Sequence, residues 1–155
     1  MTPAQPDRRD YLMREWRPDA VVAHRFEVDG GTYAPGNARA ILGGLLARHL
    51  GADDLFDISV LVSELVTNAV RHAGAGEEET IVVHIALSPT CLRVEVCDFG
   101  PGFDPPAVPR SRPEGGGNGL VLLARMSSRW GIASDDGTCV WFERALAVSY
   151  SRESA

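Results

Sequence analysis

Lysine is absent from this chain of 155 residues, and all fifteen of its basic side chains are arginine. The absence excludes the phosphate-binding lysine of P-loop proteins, the strand lysine of protein kinases and any Schiff-base lysine. If the protein handles phosphate, the phosphate groups have to be held by backbone N–H groups, arginine, histidine or a metal ion.

The chain also has no apolar run of membrane length, no excess of positive charge and few cysteines. No apolar run has the length of a membrane span, and residues 1–19 lack the apolar stretch of a secretory signal. The net charge of −6 argues against a nucleic-acid binder. Cysteine occurs only at Cys91, Cys97 and Cys139, without CxxC spacing, so we expect reduced, half-buried thiols rather than a disulfide or a metal site. These absences predict a cytoplasmic protein with no membrane or nucleic-acid partner.

Hydrophobic periodicity predicts the element order β-α-α-β-β-loop-α-β-β. The helix with the widest apolar stripe starts at a cap formed by Asp53 or Asp54 and runs to about Ala73. An antiparallel hairpin follows, because two alternating runs flank Ser88-Pro89. The other predicted elements are a strand over 21–28, a helix from Pro35 to Gly51, a loop over 99–117, a helix over 120–128 and strands over 130–133 and 138–143.

These elements predict an α+β fold. Since most strands have one apolar face and three helices are present, we expect a two-layer α/β sandwich, with a mostly antiparallel sheet covered on one face by three helices. The domain is predicted to span residues 20–146, between an N-terminal tail over 1–19 and a C-terminal tail over 147–155.

The long helix contains a line of polar side chains at the edge of its apolar stripe. Glu64, Asn68 and His72 are spaced four residues apart and therefore lie on one side of the helix. A carboxylate and an amide oxygen are hard ligands suited to Mg²⁺ or to orienting a hydroxyl group. On its own, the spacing favours a solvated helix border with a histidine near the C-terminal end of the helix dipole.

Two glycine-containing stretches follow. Asp98 ends a predicted strand and is followed by Gly100 and Gly102; its carboxylate could hold an exocyclic amine such as that of adenine, with the base close to the backbone. The stretch GGGNG, residues 115–119, precedes Leu120, and free N–H groups at a helix start can bind phosphate. Taken separately, the first stretch favours a plain strand-ending turn, and the alternative for the second is a flexible linker.

In this order, the helical E-x-x-x-N, the D-x-G-x-G after a strand and the glycine-rich loop before a helix resemble the N, G1 and G2 boxes of the GHKL (Bergerat-fold) ATPases. Within that superfamily, SELVTNAVRHA, DFGPGF and GTCVWFE are most similar to the small anti-sigma-factor serine kinases of the RsbW-like group. The resemblance covers residues 20–145 and agrees with the sandwich predicted from periodicity.

For the helix, the resemblance implies that Glu64 is the general base, that Asn68 ligates Mg²⁺ and that His72 lies near the phosphates. For the other two boxes, it implies that Asp98 binds the adenine amine and that residues 103–117 form a lid over ATP. The remaining implied nucleotide contacts are Gly100 and Gly102 under the base and Gly117, Gly119 and Leu120 at the phosphates.

The function implied is an ATP-dependent serine kinase that phosphorylates a STAS-type anti-anti-sigma protein, binds a sigma factor and forms a homodimer. Asn118 stands where many relatives have arginine, Gly137-Thr138 replaces Gly-Lys, and the lid is rich in proline. Asn118 and the proline-rich lid favour an alternative, an ATP/ADP-binding partner switch without kinase activity. Arg110 and Arg112 in the lid could contact phosphate or be solvated. The length argues against a complete histidine kinase or a two-domain ATPase of the gyrase type.

Overall fold

The structure, a computed structural model, describes residues 20–72, 79–98, 118–133 and 137–146. The predicted tails and the predicted loop over 99–117 lie outside these ranges. The element order agrees with the prediction. The elements are β1 (Val22–Asp29), α1 (Ala34–Leu46), α2 (Ala52–His72), β2 (Thr80–Leu87), β3 (Cys91–Asp98), α3 (Asn118–Met126), β4 (Arg129–Ala133) and β5 (Thr138–Ala145).

The five strands form one antiparallel sheet in the order β1-β2-β3-β5-β4. The predicted hairpin joins β2 to β3, and its turn is closed by Ser88, whose backbone N–H donates to the Cys91 carbonyl at 2.9 Å. The Ser88 hydroxyl oxygen also accepts the Cys91 N–H at 3.1 Å. In the middle of the sheet β3 pairs with β5, so two segments far apart in sequence lie side by side.

One face of the sheet packs against the three helices and forms the main core. Because side chains alternate along a strand, every second residue of β2, β3 and β5 lies on this helix-side face. Phe142 is fully buried there. The predicted two-layer α+β sandwich is confirmed. The cluster joins Leu42 of α1, Leu61 and Leu65 of α2 and Leu123 of α3 to Ile81, Val83, Ile85, Val94, Val96, Val140 and Phe142.

Among the predicted helix boundaries, the end of α1 and the start of α2 were wrong. The helix α1 ends at Leu46 rather than near Gly51, because the Leu46 carbonyl accepts the N–H groups of both His49 and Leu50, at 2.9 and 3.1 Å, and the chain turns there. The cap of α2 is also different. Leu55 N–H donates to the Gly51 carbonyl at 3.0 Å, so the helix begins before Asp53 and Asp54, which lie in its first turn.

The acidic first turn of α2 is fixed to the sheet by one arginine. Arg144 of β5 donates to the carboxylates of Asp54 at 3.2 Å and Asp57 at 2.7 Å, and also to the Met126 carbonyl at 3.2 Å. Asp54, in the first turn, also lies near the positive end of the α2 dipole, which stabilises its charge. The orientation of α2 relative to β5 is therefore restrained at the helix N-terminus.

The second face of the sheet, on the side away from the helices, has a different composition. Arg93 stacks on the Trp141 ring, with its guanidinium carbon 4.1 Å from the ring centroid, and pairs with Glu143 at 3.2 Å and Glu95 at 3.9 Å. Arg93, Glu95 and Glu143 are all buried. Burial lowers the pKa of Arg93, while the charges of Glu95 and Glu143 oppose that shift.

The second face also overturns the cysteine prediction. Cys97 of β3 and Cys139 of β5 are paired residues on neighbouring strands and form a disulfide, with Cα atoms 4.0 Å apart. Cys91 is a buried thiol that takes no part in this bond. The odd number of cysteines gave no indication of this pair, because only the β3–β5 register brings the two residues together.

No helix in the described part of the chain is long and apolar enough to cross a membrane.

Candidate functional site

The residues of the predicted polar line on α2 differ in how deeply they are buried. Glu64 is half-buried, and Asn68, one turn further on, is buried with 8% of its surface exposed. His72 is the last residue of the helix, and its side chain lies outside the described part of the structure. A buried amide has to be hydrogen-bonded or to face a ligand, which makes Asn68 the most informative member of the line.

The helix α2 also carries a row of hydroxyl side chains spaced four residues apart. Ser59, Ser63 and Thr67 each donate to the backbone carbonyl four residues earlier, at 2.7, 2.8 and 2.7 Å. Ser63 also accepts a hydrogen bond from Arg39 of α1 at 2.9 Å. The hydroxyl groups are therefore satisfied within the helical layer, and the contact with Arg39 fixes the rotation of α2 next to Glu64.

Asp98 lies at the end of β3 and faces the helices. It is spaced two and four residues from the core residues Val96 and Val94 and therefore lies on the same face of the strand. It is buried, with 8% of its surface exposed. Its paired residue on β5 is Thr138, which begins that strand. The two side chains are thus neighbours at one end of the sheet, on the side that the helices cover.

Thr138 was not identified from the sequence as a site residue. Its hydroxyl oxygen is buried and has no hydrogen-bond partner within the described part of the chain. Leaving such a group unsatisfied costs about 1–3 kcal/mol. Threonine at the start of a strand is common, and only its pairing with Asp98 distinguishes this one. Together the two side chains offer a carboxylate acceptor and an adjacent hydroxyl group that can both donate and accept.

The start of α3 completes the arrangement. The helix begins at Asn118, two residues earlier than predicted, so Gly119 lies inside its first turn and Leu120 follows, buried. N–H groups in a first helical turn have no intrahelical acceptor and can bind an anion. Of the remaining predicted residues, Gly100, Gly102 and Gly117 lie outside the described ranges, as do Arg110 and Arg112.

Three elements meet near these residues. The helix α2 packs on both β3 and α3. Ala69, Val96 and Leu120 belong to one buried cluster, and Ala69 directly follows Asn68, while Val96 precedes Asp98 by two residues. The helix that carries the buried amide therefore packs against both the strand that ends in the buried carboxylate and the helix that follows the glycine-rich stretch.

An α+β sandwich with this arrangement of polar residues defines a class of nucleotide-binding domain. The family described as "Histidine kinase-like ATPase domain" matches residues 33–144. The chain belongs to this family, which confirms the superfamily inferred from the three boxes. Membership makes it an ATPase- or kinase-like domain and implies that it binds a nucleotide. A comparison with curated proteins finds no match.

Solved structures are similar to this chain, and one from a two-protein complex shares its fold. A chain of the SiaB–SiaC complex from Pseudomonas aeruginosa is 18% identical, with a TM-score of 0.52 over 88% of this chain and 97% of that one. The histidine kinase domain of a blue-light activated histidine kinase from Erythrobacter litoralis is 22% identical, with a TM-score of 0.48 over 73% of this chain and 59% of that one.

Proposed function

We propose that the protein is an ATP-dependent regulatory serine kinase that binds Mg-ATP where α2, the paired ends of β3 and β5 and the start of α3 meet. The observation that carries this proposal is the Asp98–Thr138 pair. The Thr138 hydroxyl group is buried beside the Asp98 carboxylate and has no partner among the described residues, which is costly in a purely structural core. An adenine ring would contact both groups, since its amine donates to the carboxylate and its ring nitrogens accept from a hydroxyl group.

The helix α2 would supply the groups for phosphoryl transfer. We assign Glu64 as the general base for the serine hydroxyl and Asn68 as the Mg²⁺ ligand, because an amide oxygen is a hard donor suited to that ion. His72, at the end of the helix, would lie near the phosphates. Mg²⁺ supplies neutralisation of phosphate charge, and half-burial of Glu64 leaves it accessible to a protein substrate.

The glycine-rich segment would supply the remaining nucleotide contacts. Gly119 and Leu120 lie in the first turn of α3, where N–H groups point out of the helix. Together with Gly117 they would bind phosphate through the backbone, which agrees with the absence of lysine from the chain. Gly100 and Gly102 would pack under the base.

The substrate we propose is a serine of a STAS-type anti-anti-sigma protein, and the protein would act in the cytoplasm as an anti-sigma factor, as a homodimer. The support is the likeness to the RsbW-like group. In addition, one structure that shares the fold was solved as a complex of two different proteins.

A second candidate function is an ATP/ADP-dependent partner switch without kinase activity. Asn118 favours it, since many relatives have an arginine at this position at the start of α3. Glu64 favours the kinase, because a protein that only binds nucleotide has no need of a general base.

Calorimetric titration with Mg-ATP and Mg-ADP tests the site. We expect Asp98→Asn to weaken binding roughly 10- to 100-fold, the effect of losing a hydrogen bond to a charged group. Asp29→Asn is the matched control, because Asp29 also ends a strand but is exposed. Equal affinities for the wild type and the Asp98→Asn variant would rule out the proposed adenine contact.

Transfer of labelled phosphate to candidate STAS proteins separates the two functions. The kinase predicts transfer that is lost in Glu64→Ala while nucleotide affinity is retained. Nucleotide binding with no transfer to any partner would instead establish the partner switch. Transfer that survives Glu64→Ala would remove the assignment of Glu64 as base.

A further inference from the structure

The disulfide lies directly behind the proposed adenine contact. Cys97 precedes Asp98 on β3, and Cys139 follows Thr138 on β5. The pairs Cys97–Cys139 and Asp98–Thr138 are consecutive in the sheet register. Because side chains alternate, the disulfide lies on the second face while Asp98 and Thr138 lie on the helix-side face. The bond therefore fixes the two strands one residue away from the base-binding pair.

The location gives the bond a specific effect. Asp98 is the last residue of β3 and Thr138 is the first of β5, so both belong to strand ends, which separate more easily than strand centres. A covalent bond at the adjacent pair limits that separation. Since one adenine would contact both side chains, their spacing sets how many contacts it makes simultaneously.

The residues around the Cys97–Cys139 disulfide indicate when a reductant can reach it. Cys97 is fully buried and Cys139 is 5% exposed, with Val82 packed against them. The Cys97 sulfur lies 3.6 Å from a carboxylate oxygen of the buried Glu95. Thiol–disulfide exchange needs access to a sulfur atom, so reduction requires the strand ends to open. Opening is also the motion that a bound nucleotide would oppose.

We propose that the Cys97–Cys139 disulfide positions Asp98 and Thr138 for adenine, so that oxidation of the cysteine pair raises the affinity for ATP. The inference rests on the proposed nucleotide site. Both cysteines are positioning residues, since neither faces the base. Disulfides in a reducing compartment are mostly transient and redox-sensing, and the proposed cytoplasmic setting therefore makes the bond reversible.

The redox step consumes a thiol reductant. Two thiols, 2 RSH, transfer two electrons and two protons to the Cys97–Cys139 bond; the S–S bond breaks, two protein thiols form, and the reductant leaves as RSSR. The intermediate is a mixed disulfide, formed when a thiolate of the reductant attacks one sulfur. A low-molecular-weight thiol or a dithiol protein of the thioredoxin class supplies the electrons.

The test measures ATP and ITP affinities for the oxidised and the reduced protein, with the redox state established by mass. The base of ITP lacks the exocyclic amine from which Asp98 would accept a hydrogen bond, so ITP reports on nucleotide binding without that contact. We expect reduction to weaken ATP binding about tenfold, within the range typical of coupled sites, and to weaken ITP binding less. A general loosening of the fold would instead weaken both nucleotides equally.

Two variants control the experiment. Cys91→Ser alters the buried thiol outside the bond and should keep the redox effect. Cys97→Ala/Cys139→Ala should bind ATP like the reduced wild type under both conditions. A chelator that binds Zn²⁺ but leaves Mg²⁺ in solution is present throughout, because Glu95 and the two sulfurs lie within 4.8 Å of one another and could bind a transition metal when reduced.

A second measurement needs no variant. Coupling is reciprocal, so saturating ATP should make the disulfide harder to reduce by the same factor, and a tenfold coupling is about 30 mV in reduction potential. Equal ATP affinity in both redox states, or an unshifted potential, would overturn this inference alone. Absence of ATP binding in both states would refute the proposed nucleotide site, and this inference with it.

Discussion

Phe142 and Glu143 are neighbours on β5, yet they lie on opposite faces of the sheet. Phe142 is fully buried among the helices, whereas Glu143 is buried against Arg93 on the second face. The helix-side face is held by apolar area, which is non-directional. The second face is held by a charge pair, an aromatic stack and a disulfide, which all depend on register. The helix-side face thus stabilises the fold without regard to register, whereas the second face stabilises it only when these residues lie opposite each other.

The largest expected effect comes from the helix-side face. Phe142→Ala should lower the free energy of unfolding by about 3–5 kcal/mol, because it removes a fully buried ring and leaves a cavity. Denaturant titration followed by fluorescence measures this change. A loss below that of the substitution at Glu143 would contradict the assignment of the main core to this face.

A smaller loss in the free energy of unfolding is expected for a substitution on the second face. Glu143→Ala should cost about 3 kcal/mol, the lower end of the range for breaking a buried ion pair, because Glu95 remains 3.9 Å from Arg93. Glu143→Gln is the matched control; it keeps an acceptor for Arg93 and should lose less. If both variants are as stable as the wild type, the charged residues do not hold this face.

The smallest effect is expected where the helix-side face reaches the site. Thr138→Val should raise the stability of the nucleotide-free protein by about 1 kcal/mol, because it removes a buried hydroxyl group that has no partner in the described part of the chain. The same variant should weaken ATP binding several-fold. Thermal unfolding with and without ATP measures both changes. Destabilisation of the nucleotide-free protein would show that the hydroxyl group is satisfied internally.

The two faces also differ in how far the sequence predicts them. Alternation along β2 and β3 correctly identified the helix-side face, because apolar residues every second position have to be buried together. The same alternation assigns Arg93, Glu95 and Glu143 only to the other face. Their burial and pairing depend on the β3–β5 register, and β3 and β5 carry cysteines 42 residues apart in sequence. No local pattern encodes that register.

For the candidate site, too, the sequence identified residues within local motifs but not the residue that depends on strand pairing. Asn68 and Asp98 were identified because each lies within a motif on a predicted element, and their burial agrees with a site. Their roles stay predictions. Thr138 was missed because its meaning comes from its partner across the strand. The prediction of reduced thiols was wrong for the same reason, since the spacing of cysteines along the chain does not show which strands pair.

The most direct test of the account is a crystal structure with a non-hydrolysable Mg-ATP analogue. We predict that the adenine amine lies within hydrogen-bond distance of the Asp98 carboxylate, with the Thr138 hydroxyl group contacting the base or a water bound to it. A nucleotide bound elsewhere, with the Thr138 hydroxyl group still buried and unpartnered, would contradict the account.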